Sequence, residues 1–131
     1  MAEQHEWLSK ALQCLRGAES EFANRRYDNA VNRAYYGCFQ AAVAALMDAG
    51  KQPITEKGTR SHAVVQSVFA HDLIRRRKIY PAELASVLPE VLLARQQADY
   101  TTTLTSEIRA KRMLEKARSF IATVRRNVGD N

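Results

Sequence analysis

Almost every stretch of this chain repeats its apolar residues with a period near 3.6, the spacing of one face of an α-helix. From Trp7 onward, Leu8, Ala11, Leu12, Leu15, Ala18 and Phe22 recur at i, i+3, i+4 and i+7. That pattern predicts an amphipathic helix over about residues 4–25. A second helix is expected over about 28–49, with Asp28 as its N-cap and Val31, Ala34, Tyr35, Cys38, Ala42, Ala45 and Leu46 inside. Gly50 stands where a left-handed C-cap belongs. Residues 50–59 hold two Gly and a Pro and read as the long loop.

A third helix is predicted to start near Thr59 or Ser61 and to run through Val64, Val65, Val68, Phe69 and Leu73. It ends in Arg75-Arg76-Arg77-Lys78, cations that suit the negative end of a helix dipole. Pro81 can open a fourth helix, and Pro89 within it predicts a kink or a short helix before a longer one. The threonines 101–103 read as a break. The last helix, about 105–128, takes Thr105 as N-cap and turns Ile108, Leu114, Ala117, Phe120, Ile121 and Val124 inward. Only five Gly and three Pro interrupt the chain, against a turn-rich β-fold. Short links between long amphipathic helices favour antiparallel neighbours. The expected fold is all-α, an up-and-down four-helix bundle with an extra short or kinked helical segment.

The 131 residues suit one domain spanning 1–131, long enough to bury roughly two-thirds of the unfolded chain's surface. No apolar run approaches the ~20 residues that span a bilayer, so no membrane contact is expected. The N-terminus lacks the basic and apolar regions of a signal peptide, which predicts a cytoplasmic protein. A surplus of +6 permits contact with phosphates without requiring it. Cys14 and Cys38 have no metal-ligand spacing and read as buried reduced thiols. His-x-x-x-His, Cys-x-x-Cys and paired-carboxylate patterns are all missing, and neither a metal nor a cofactor is expected.

The second helix carries an unusual far side. At about 100° per residue, Asn29, Arg33, Tyr36, Gln40 and Met47 lie opposite the apolar stripe, flanked by Val43 and Ala44. A solvated face would carry Lys and Glu pairs instead, so this one suits a subunit interface or a site. Gly37 in mid-helix suggests close approach by another element. Arg95 and Asp99, four apart, can pair on one helical face, or the arginine's fork can meet a phosphate. His62 stands near the start of the third helix, where the dipole disfavours its charged form.

The segment Tyr27-Asp-Asn-Ala-Val-Asn-Arg-Ala-Tyr-Tyr-Gly-Cys-Phe-Gln-Ala-Ala42 resembles the second-helix signature of the HEPN family, and more narrowly its small stand-alone prokaryotic members. Ser61-His62, Arg95-Gln-Gln-Ala-Asp-Tyr100 and a final helix with Phe120-Ile121 follow in the same order, over about residues 8–124. The resemblance implies a homodimer with a cleft between subunits associated with nucleotides or RNA. Many members are metal-independent ribonucleases, often toxins of toxin–antitoxin or phage-defence systems. Stand-alone members are frequently paired with a small nucleotidyltransferase. The family's ribonuclease motif is an arginine followed after four to six residues by a histidine. Arg95 matches the arginine, but Tyr100 stands where the histidine is expected, and Thr102 where many toxins carry a tyrosine.

RNA cleavage through the 2′-hydroxyl needs a base and a cation for the phosphorane; Arg95 suits the second role. A phenol holds its proton at neutral pH, so a tyrosine at position 100 makes a poor general base. The leading expectation is therefore a nucleotide- or RNA-binding member of a toxin–antitoxin or defence pair, with a degenerate ribonuclease motif. Arg33, Tyr36, Arg95, Asp99 and Tyr100 would line its site, with His62 nearby and a second copy across helix two. One alternative is an active ribonuclease using His62 or Tyr100. Another is a protein-interaction bundle whose arginines are structural.

Overall fold

The structure, a computed structural model, describes residues 2–51 and 61–129. Its elements are α1 (Ala2–Ala23), α2 (Tyr27–Asp48), α3 (His62–Val68), α4 (Val87–Tyr100) and α5 (Glu107–Val128). α3 continues into a wider π-helical segment, Phe69–Arg76, and a 3-10 turn, Ala82–Ser86, leads into α4. There is no strand among the described residues, and the all-α bundle is the fold expected. Most of the predicted 50–59 loop, and Thr59 as a start for α3, lie outside the described residues.

α2 is the centre of the bundle, and every other helix packs on it. Its two supposed sides are both covered. Val31, Ala34, Tyr35, Cys38 and Ala42 are fully buried, and so are Val43 and Ala44 on the flank assigned to an outer surface. Tyr36, Gln40 and Met47 are partly buried, leaving Asn29 and Arg33 exposed. The face read as turned away from its own bundle is therefore largely internal. A helix apolar nearly all round belongs in a core.

Several ends differ from the sequence reading. Arg26, not Asp28, precedes the first turn of α2, with no side-chain cap. Asp28 instead accepts from the backbone N–H of Thr105 at 2.9 Å, tying the α4–α5 loop to α2. Ser106 rather than Thr105 caps α5, accepting from Arg109 N–H at 3.1 Å. The short helix expected before a longer one is present: Pro81 opens the 3-10 turn, and Pro89 falls in the first turn of α4, where its missing N–H costs nothing. Ile108, expected inside, is 72% exposed, because it precedes the point where α5 meets the core. Gly50 takes the left-handed conformation predicted for it, with φ of 82°.

Gly37 is a true close-approach glycine. A Cβ there would lie 3.1 Å from Ile121 Cδ1, 3.3 Å from the Ala11 carbonyl oxygen and 3.5 Å from Cys14 Cβ. Backbone on one side and a packed core on the other leave it little room. At Gly17 an added Cβ would meet only Arg33 carbons at 3.9 Å, an ordinary contact. Helix propensity favours alanine at both places by about 1 kcal/mol. Gly17→Ala should raise stability by about 0.5–1 kcal/mol. Gly37→Ala should lower it by about 1 kcal/mol, since overpacking costs about 1–3 kcal/mol. Paired urea titrations check the opposite signs.

Candidate functional site

The third turn of α2, the start of α3 and the last two turns of α4 bring five polar or aromatic side chains around one guanidinium. Arg95 is only 8% exposed although it carries a charge. Its Nη1 donates to Tyr36 Oη at 2.9 Å and lies 3.8 Å from Asp99 Oδ2. Its Cζ stands 5.3 Å from the ring centre of Tyr35, 5.5 Å from Tyr36 and 5.9 Å from Tyr100. These are cation–π distances. Its Nε is buried and meets no partner among the described residues.

Asp99 is held from the other side by Asn32, whose Nδ2 donates to Oδ2 at 3.1 Å. The i,i+4 pair expected on α4 is thus present, but as part of a chain from Asn32 through Asp99 to Arg95 and Tyr36. Tyr100 is 75% exposed, its ring leaning on the guanidinium from outside.

His62 joins the cluster from α3, where Ser61 caps the helix by accepting from Val64 N–H at 3.0 Å. Its ring centre is 4.9 Å from Phe39, 5.2 Å from Tyr35 and 6.3 Å from Tyr36. Its Nδ1 is hydrogen-bonded to the Tyr35 hydroxyl. Burial raises the Tyr35 pKa and keeps the phenol protonated, so the pair shares one hydrogen bond between two neutral groups. Burial and, second, the Arg95 charge hold the His62 pKa below its ordinary 6.5. At neutral pH the ring is uncharged.

This shift has a sign in stability. The folded state disfavours the imidazolium, so the unfolded chain binds the proton first. Its contribution is intact above pH 6.5 and is lost as pH falls below that value. Between about pH 7.5 and 5.5 the wild type should therefore lose melting temperature that His62→Gln does not lose. Equal pH slopes in the two proteins would contradict the shift.

Arg33 is not in this cluster. It lines a separate groove of about 340 Å³ between α1 and α2, with Lys10, Cys14 and Gln40. Three residues, about 60° around the helix, separate it from Tyr36, which meets Arg95 on the α4 side. Tyr36, Asp99, Tyr100 and His62 do surround Arg95. Three members were missed in the sequence. Periodicity assigns Tyr35 to the apolar stripe and gives Phe39 and Asn32 no role of their own. The spacing Asn32–Tyr36 was the signal, since both must face the same neighbour. Cys38 is buried and burial pushes its thiol pKa up, which makes it inert; Cys14 is half-buried.

The HEPN domain profile matches residues 4–127. The chain belongs to the HEPN family. A UPF0332 protein of Thermotoga maritima is 26% identical over 125 residues, covering 95% of this chain and 89% of its own length. A Methanocaldococcus jannaschii protein named as a "putative toxin" is 28% identical over 115 residues, covering 86% of this chain and 78% of its own. No helix among the described residues is long and apolar enough to cross a membrane.

Proposed function

We propose that this HEPN protein is the toxin-like member of a toxin–antitoxin or defence pair and binds RNA or a nucleotide at Arg95. The observation that carries the reading is the poor use of a costly group. A guanidinium has five N–H donors, and burying it is expensive unless they are matched. Arg95 spends one hydrogen bond on Tyr36 and leaves Nε without a partner. An anion presenting several oxygens at the outer edge of the guanidinium would offset that cost through the remaining Nη donors, and phosphate fits the fork. Tyr36, Asp99 and Tyr100 orient the arginine, and Tyr100 offers an exposed ring on which a base can stack. The protein acts as a homodimer in the cytoplasm, and its partner is a small nucleotidyltransferase. The resemblance to a toxin-named relative supports the pairing.

A second reading is favoured by one observation. His62 is a neutral imidazole within the same cluster as Arg95, although no histidine stands at position 100. In an active ribonuclease, His62 would take the 2′-hydroxyl proton and Arg95 would stabilise the phosphorane. Structured RNA incubated in EDTA with wild type, Arg95→Ala and His62→Gln separates the two. Binding without cleavage supports the first reading. Cleavage that both substitutions remove supports the second. No binding and no cleavage at low salt, with a monomer in sedimentation, rejects both.

A further inference from the structure

We propose that the end of the α3 segment far from His62 is a second anion-binding surface, which holds the phosphate backbone of a nucleic acid through Arg75 and Lys78. Balancing a helix dipole accounts for only part of the run Arg75–Lys78. Arg77 Nη1 donates to the Ala49 carbonyl at 3.1 Å, and Arg76 pairs with Asp72 at 3.6 Å. Asp72 is already shared, because Lys51 reaches it at 3.2 Å. Lys51 first, and then Arg76, hold its carboxyl below the ordinary range. That acid is spent. Arg75 and Lys78 remain exposed, with no hydrogen bond or ion pair to any described residue.

The backbone of Lys78 adds an independent observation. Its φ is 52°, in the left-handed region that L side chains rarely adopt. The Ile79 N–H closes the turn on the Leu73 carbonyl at 2.8 Å. The end of α2 makes a similar turn, Lys51 N–H to the Leu46 carbonyl at 2.8 Å, with Gly50 in the left-handed place. Lys78 shares this conformation with Arg25, φ 63° at the end of α1, and at Lys78 it fixes the direction in which the chain leaves the helix beside Arg75. The preceding π-helical segment is itself a rare conformation, frequent at functional sites.

Arg75 and Lys78 border a groove of about 440 Å³ with Ile79 and Pro81, and no carboxylate lines it. A guanidinium fork and a point-charge ammonium over a shallow apolar floor match phosphate oxygens and the sugar between them. A folded acidic partner would need a deeper apolar anchor. The surface does not depend on what Arg95 binds. If both are used, the ligand must span the segment from His62 to Lys78, about 20 Å at helical rise. That is an oligonucleotide, not a mononucleotide.

The test is fluorescence anisotropy with a single-stranded RNA of about 20 nucleotides at several salt concentrations. Wild type, Lys78→Gly, Arg75→Gln/Lys78→Gly and Arg95→Ala are compared, with melting temperatures alongside. The double variant should bind about tenfold more weakly at low salt, and its log–log salt slope should flatten by about 1.4, two single-strand phosphate contacts. Lys78→Gly alone should raise the melting temperature by a few degrees while weakening binding. Binding lost in the double variant and kept in Arg95→Ala would uphold this surface and overturn the Arg95 reading. The reverse pattern would overturn this surface and leave Arg95 standing. A wild type that ignores RNA, a Lys78→Gly that melts lower, or polyglutamate bound as tightly as RNA would each overturn the proposal.

Discussion

Arg95→Met is expected to weaken RNA binding at least tenfold and yet leave the protein's stability within about 2 kcal/mol of wild type. The two effects come from the same group. Methionine keeps much of the buried stem's volume among Tyr35, Tyr36 and Tyr100. It removes a charge whose desolvation costs several kcal/mol. The offsets are three cation–π contacts of about 0.5–2 kcal/mol each and one charge-assisted hydrogen bond of about 1.5–3 kcal/mol. Asp99 adds little at 3.8 Å, and it keeps Asn32 as a partner when the arginine is gone. The ledger is near balance, so the net change should fall within about 2 kcal/mol of zero. Arg95→Lys should not restore binding, because a lysine has neither the fork nor the flat face. Anisotropy and thermal melts on the three proteins decide the matter. A fall of more than about 10 °C in the methionine variant, with RNA affinity unchanged, would make the guanidinium a structural strut.

Which residues share a helix was readable from spacing, because period 3.6 belongs to the chain itself. Which neighbour each face meets was not. Arg33 and Tyr36 lie only three residues apart, yet α1 and α4 stand on either side of the line between them. Periodicity averages over that difference. The same gap explains why α2 looked two-sided, since small and mixed residues mark the centre of a bundle as readily as an interface. Tyr35 shows a second limit. Its position on the stripe correctly placed the ring in the core, but hid a hydroxyl that reaches His62. Ends were blurred for a third reason. Asp28 and Thr105 are both competent caps, and the fold used them on each other instead. The π-helical stretch had no signature beyond an ordinary helical pattern, because its widening answers to packing.

That packing sets the other large expectation, a loss of about 4 kcal/mol in Phe69→Ala. Phe69 begins the π-helical segment and is buried. Its ring stands 5.2 Å from Phe120 on α5 and 5.3 Å from Tyr80. Tyr80 follows the left-handed turn at Lys78 and is itself buried, which raises its pKa. One ring thus joins the segment at both ends to the bundle. Truncating a buried phenylalanine costs about 3–5 kcal/mol, and two aromatic pairs of about 0.5–1.5 kcal/mol each lie within that loss. Against a total of about 5–15 kcal/mol, the melting temperature should fall by about 10–15 °C. Phe69→Leu should lose about 1–1.5 kcal/mol, since it keeps most of the volume. The double variant Phe69→Ala/Phe120→Ala should lose less than the sum of the two singles, by about 0.5–1.5 kcal/mol, because the pair is counted in both. Strict additivity would mean that α5 holds this segment through other contacts, and that the three-ring stack is not what keeps α3 and the Lys78 turn in place.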